Sequence, residues 1–158
     1  MHRIYSFLFV VLVLISGKPR SSAYLAPTNK ASVAVLEQQL RDADIEFCKQ
    51  TAARRLDGWM DAFADDASIL QNGKTVSGKT DLRRHYEPIF ADKNFILTWT
   101  PTHAEAARDG SLGYTYGTYE AKSGNDVSYG MYLTIWRHVN GKWKVVMDTG
   151  SLLRQQPQ

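Results

Sequence analysis

Little in this sequence offers a staple, a metal or a phosphate cradle. It holds a single cysteine, Cys48, so no internal disulfide can form. Cys48 follows Phe47 in an apparent helix and reads as a small buried hydrophobe, with a free thiol or an intermolecular link as alternatives. No two of the four histidines share a ligand spacing such as i, i+4 on one helix, which argues against a zinc site. Gly73-Lys74-Thr75 lacks the upstream glycines of a phosphate-binding loop, and no repeat or low-complexity segment is present. The one long apolar run, Ile4 to Ile15, is short of the ~20 residues that a membrane span requires. Nothing in the sequence calls for a cofactor.

That apolar run has a context. His2 and Arg3 precede it, and Gly17 to Ala23 follow it, with Ser21 and Ala23 as small residues. Charged, apolar and small-residue regions in this order are the layout of a secretory signal peptide. Residues 1–23 are therefore expected to be a cleaved leader, with an uncleaved anchor as the alternative, and the product to be secreted or periplasmic. Three of the 19 basic residues, Arg3, Lys18 and Arg20, lie in the leader; the remaining 16 balance the 16 acids. A formally neutral domain has no basic footprint for a phosphate backbone, which argues against nucleic acid. After cleavage nothing points to a membrane.

The rest has the length of one domain. Residues 24–31 read as a loose lead-in, 32–153 as the domain and 154–158 as a tail. From Ser32, Leu36, Leu40, Ala43 and Phe47 recur at helical spacing, and Leu56, Trp59, Met60 and Phe63 form a second stripe. Thr51 to Ala53 either join or break these helices. Ala67 to Gln71 reads as a strand, Asn72-Gly73 as a type I′ turn and Thr75 to Ser77 as the return strand. Lys79 to Phe90 is a third helix that Pro88 bends or ends. Four strands follow, 95–107, 112–122, 127–139 and 143–149, with turns at Asp109-Gly110, Ser123–Asp126 and Asn140-Gly141. Pro101 marks an edge or a bulge. Helices first and a meander afterwards give an α+β class, with three helices on a strongly bent antiparallel sheet.

Particular stretches are similar to a known superfamily. These are Trp59-Met-Asp-Ala-Phe-Ala-Asp-Asp-Ala-Ser-Ile-Leu with Val76-Ser-Gly-Lys-Thr-Asp-Leu, then Gly113-Tyr-Thr-Tyr-Gly-Thr-Tyr, Tyr132-Leu-Thr-Ile-Trp-Arg and Gly141-Lys-Trp-Lys-Val-Val-Met-Asp. Together they resemble the nuclear transport factor 2-like superfamily, in its SnoaL-like and ketosteroid isomerase-like members, closest to a branch of unknown function. The resemblance covers nearly all of residues 32–153. It implies a cone-shaped α+β barrel, a homodimeric assembly in the manner of that superfamily, and a mostly apolar pocket between helices and sheet. It does not imply an activity, because this fold hosts enzymes, binders and association modules.

The ketosteroid isomerase residues do not carry over. Their tyrosine position falls on Phe47, their base on Gln71 and their second acid on Thr134, and none of these can do the original work. Proton transfer would fall instead to Asp148, on the last strand, where an apolar cone would raise its pKa. The plainer reading of Asp148 is a strand-end acceptor of hydrogen bonds. His103 is a second catalytic candidate near neutral pH, against the reading of a solvated edge histidine. His85 and His138 read as exposed, and Asp65-Asp66 as turn residues.

The aromatic residues suggest a flat or ring-shaped ligand. With Phe47, Gln71 and Thr134, the candidate ligand-binding residues are Trp59, Tyr86, Trp99, Tyr116, Tyr132 and Trp136. Tyr132, Thr134 and Trp136 share one strand face by alternation. The expected partners are a small apolar or aromatic ligand and a second copy of the chain. A non-catalytic dimeric interaction module is the competing reading.

The leader generates the first prediction. N-terminal sequencing of the exported protein should begin at Tyr24; recovery of Met1 in a membrane fraction would mean an uncleaved anchor.

Overall fold

The computed structural model describes residues 30–156, and the expected leader lies outside them. Helix α1 (Lys30–Arg54) is followed by α2 (Leu56–Ala62), β1 (Phe63–Gln71), β2 (Lys74–Ser77) and α3 (Lys79–Ala91). Four strands complete the chain: β3 (Ile96–Ala106), β4 (Leu112–Ser123), β5 (Asp126–Val139) and β6 (Lys142–Gln156). The expected α+β class with three helices is what forms. α1 runs through Thr51 to Ala53, and the break falls at Arg55, whose φ of 52° is left-handed. Its guanidinium offsets that strain by donating to the carbonyls of Phe90, Asp92 and Phe95, which ties the α1–α2 corner to the end of α3.

Phe63 corrects the helical stripe. Its φ of −78° and ψ of 140° are extended, and it opens β1, although its side chain stays in the core. Pro88 neither stops α3 nor shortens it, since the helix continues to Ala91. The two Asn-Gly turns form as expected. Asn72 and Gly73 have φ of 52° and 70°, and Asn140 and Gly141 have 51° and 79°, the paired positive values of a type I′ hairpin.

The strands make one sheet in the order β2-β1-β6-β5-β4-β3. β3 to β6 are an antiparallel meander, and β1 pairs antiparallel with β2. β1 and β6, however, run parallel, with Ile69 opposite Asp148. The sheet is therefore mixed rather than wholly antiparallel. A parallel pair needs a long crossover, and α3 with the first three meander strands supplies it. The order is open, with edges at β2 and β3, so the sheet is curved but not closed. Pro101 lies on the β3 edge and beside a register shift between Pro101 and His103, where a missing N–H is tolerated.

The helices cover one face, and the core between them and the sheet is built on Leu40, Phe47, Trp59, Met60, Phe63, Leu82, Trp136 and Val145. Two glycines permit close approach. A Cβ at Gly58 would sit 1.9 Å from the carbonyl oxygen of Gln50, so α2 packs on the α1 backbone; one at Gly130 would sit 2.3 Å from the Tyr119 ring. Among the described residues no helix is long and apolar enough to cross a membrane.

Trp59 is the hub of the aromatic core, 6 % exposed, with its ring against those of Phe47, Phe63, Tyr86, Phe90 and Trp99. Trp59→Ala is expected to cost ~3–5 kcal/mol in chemical denaturation. A variant that melts like the parent would show that these rings do not pack on Trp59.

Candidate functional site

Between the helices and the concave sheet face lies a cavity of about 390 Å³. The alternation of each strand decides what enters it. From β4 come Tyr119 and Ala121, from β5 Tyr132 and Thr134, and from β6 Asp148 and Gly150. α1 contributes Phe47, α2 Trp59 and α3 Tyr86, Ile89 and Phe90; Leu97 and Trp99 on β3 complete the aromatic and aliphatic wall. Gln71 and Asn72, both exposed, stand at the rim. Eight of the sequence candidates thus meet at one site: Phe47, Trp59, Gln71, Tyr86, Trp99, Tyr132, Thr134 and Asp148.

The polar end of the cavity rests on two aspartates. Asp148 accepts a 2.6 Å hydrogen bond from the Thr134 hydroxyl. Burial pushes its carboxyl up to about 6, against the lowering effect of Thr134 and with help from the charge of Asp44. Asp44 is fully buried. It accepts the indole N–H of Trp99 and the hydroxyl of Tyr132, each at 2.7 Å, and Thr115 bonds to it as well. Burial still raises its carboxyl above the ordinary range. Tyr132 and Tyr86 are both held neutral by burial, and the charge of Asp148 acts on each. Cys48 is a free, half-buried thiol that burial pushes up, so its nucleophilic form is disfavoured.

Asp44 was not among the sequence candidates. It lies four residues after Leu40 and three before Phe47, on the apolar stripe itself, and a lone carboxylate there is the signal that marks it. Tyr119 was missed because its face depends on the register of β4, which only the paired strands fix.

Three candidates lie elsewhere. The register shift after Pro101 turns His103 to the outer face and pairs it with Tyr116, which faces outward by alternation with the buried Thr115 on β4, and the two rings stack at 4.8 Å. Without that shift, His103 would follow Leu97 and Trp99 inward by alternation. His103 therefore does not face the cavity, and neither does Tyr116. Trp136 points inward but lies beyond the cavity wall, 1 % exposed, edge-on to Phe47 and donating its N–H to Thr115. His85 meets Gln71 at the rim, and His138 packs on Trp143. Among the described residues no cluster of His, Cys, Asp or Glu could hold a metal ion.

Comparison with known proteins gives the fold a context. Residues 45–146 match the SnoaL-like domain family. No curated protein matches the chain. The structure is similar to that of an NTF2-like protein of unknown function from Pseudomonas putida KT2440, with 18 % identity, coverage of 75 % of this chain and 87 % of the other, and a TM-score of 0.63. It is similar also to a ketosteroid isomerase-like protein from Erwinia carotovora atroseptica, with 14 % identity, 80 % and 99 % coverage and a TM-score of 0.61. At these identities the likeness is one of fold.

The raised Asp148 carboxyl predicts a specific pH dependence. An unperturbed aspartate titrates at 3.8, and Asp148 at about 6. Between these values the folded chain keeps a proton that the unfolded chain has released, so this group's contribution to stability falls as pH rises through that window. A shift of that size corresponds to at most ~3 kcal/mol. Asp148→Asn should therefore gain up to ~3 kcal/mol over the parent at about pH 7.5 and nothing at about pH 4 in urea denaturation. An equal loss at both pH values would make Asp148 a structural acceptor instead.

Proposed function

The chain belongs to the SnoaL-like domain family, and on that premise we propose that it binds a small, largely apolar ring-bearing ligand in its cone, with Asp148 as the proton-transfer group. The observation that carries this reading is a single carboxylate in the wall of a largely aromatic and aliphatic cavity, with burial pushing it up to about 6. A carboxyl poised there is ionised at neutral pH, yet basic enough to take a proton. The reaction class is isomerase-like or lyase-like, without the ketosteroid isomerase set, since Phe47, Gln71 and Thr134 stand where its groups would be. The ring walls hold the body of the ligand and exclude water, and Thr134 fixes the Asp148 carboxylate. The leader-like order of residues 1–23 supports a secreted or periplasmic location.

A second reading, a dimeric interaction module, is favoured by the outer sheet face. Met131, Leu133 and Met147 are exposed there, beside the stacked rings of His103, Tyr114 and Tyr116. The two readings use opposite faces and are compatible in one protein.

Native mass spectrometry of the protein purified from its own host tests both. A retained small molecule is expected, on a dimer. Turnover of that molecule should vanish in Asp148→Asn while its binding persists. A dimer that never carries a ligand would leave only the interaction module, and full turnover by Asp148→Asn would remove Asp148 from the chemistry.

A further inference from the structure

Resting on the reading of the cone as a ligand site, we propose that its ligand is an arylalkylammonium, an aromatic body bearing a protonated amine that pairs with Asp148. Most hydrogen-bond donors at the inner end of the cavity are already spent within the protein. The Trp99 N–H and the Tyr132 O–H both go to Asp44. The Thr134 O–H goes to Asp148, and the Trp136 N–H goes to Thr115. The Trp59 indole nitrogen is buried without a partner and shut off from the cavity surface. What remains open to a ligand is acceptor capacity: the second oxygen of Asp148 and the lone pairs of the Tyr132 phenol. Against this stand the hydroxyls of Tyr86, which feels the charge of Asp148, and of Tyr119 and Ser128, neutral groups that can accept as well as donate.

Charge points the same way. Asp148 and Asp44 are both acids, and no Lys, Arg or His lines the cavity. Arg55 is engaged by the carbonyls of Phe90, Asp92 and Phe95. Arg41 reaches the Pro101 carbonyl and acts on Asp44 from outside the cavity. His85 meets Gln71 at the rim. An anionic ligand would face the Asp148 carboxylate, with Asp44 buried behind the wall, and no cationic side chain. A neutral carbonyl could take a phenol hydrogen bond from Tyr86 or Tyr119 but would leave the Asp148 carboxylate without a partner. A protonated amine brings the donors that Asp148 and Tyr132 lack and a charge that the low-dielectric site favours. The aromatic rings take its body and attract its cation, and about 390 Å³ admits a two-ring skeleton with a short arm.

Isothermal titration of the full chain with three probes of one skeleton tests this: tryptamine, its neutral alcohol tryptophol and its anion indole-3-acetate. At about pH 7.5 tryptamine should bind at least about tenfold more tightly than tryptophol, with indole-3-acetate weakest. Lowering the pH to about 5 protonates roughly nine-tenths of an acid titrating at about 6, so tryptamine affinity should fall about tenfold while tryptophol is unchanged. In Asp148→Asn the preference for tryptamine and its pH dependence should both disappear, with tryptophol binding kept as the sign of an intact cone. If that variant does not fold, the pH profile of the parent decides alone. Tryptophol binding as tightly as tryptamine would overturn the ammonium and leave the cone as a ligand site. Failure of all three probes to bind would overturn both.

Discussion

The carboxylate of Asp44 joins three elements that are distant in sequence. It sits on α1, accepts the indole N–H of Trp99 on β3 and the hydroxyl of Tyr132 on β5, and is fully buried. A buried carboxylate without such partners would cost several kcal/mol in desolvation, so α1 can settle on the sheet only where these donors meet it. That requirement fixes the rotation of α1 about its axis, which in turn sends Phe47 into the aromatic core and Leu40 beneath Gly113. It also removes two donors from the cavity, so the same contact that docks the helix sets the polarity of the site.

Curvature does the remaining work of making a cavity. The sheet bends over the helices, helped by close ring-to-backbone approach at Gly130 and by the register shifts in β3 and β5–β6. Shifts of this kind increase twist and re-aim side chains. In β3 the shift has a chemical result. It separates Trp99, which faces the cavity, from His103, which stacks with Tyr116 outside. The inner surface thereby has no imidazole, and Asp148 is left as the group that titrates nearest to neutral pH among those lining the cavity.

The family and the site carry different information. Membership in the SnoaL-like family accounts for helices on a curved sheet with a pocket between them. It says nothing about which groups reach the pocket, because a fold positions side chains without choosing them. Here Phe47, Gln71 and Thr134 reach the pocket, and its one carboxylate is that of Asp148, with Asp44 buried behind the wall.

The local structure was legible in the sequence. Helical spacing marked α1 and α2, the two Asn-Gly pairs marked the hairpins, Pro101 marked an edge and a bulge, and alternation grouped Tyr132 with Thr134 and Trp136. These depend on neighbours within a few residues, where backbone sterics and periodicity act directly. The parallel pairing of β1 with β6 was not legible, since no local pattern states which strand an edge will find across the chain. Nor was the turn of His103 away from the cavity, because one extra residue in a strand reverses every later side chain and leaves composition unchanged. Asp44 carried a sequence signal, a lone acid on an apolar stripe, but its role came from Trp99 and Tyr132, 55 and 88 residues away. The sequence by itself determined the elements, their turns and the aromatic stock of the core. Which of those residues share the cavity, and whether that cavity offers donors or acceptors, was decided only when long-range hydrogen bonds in the folded chain assigned each polar group its partner.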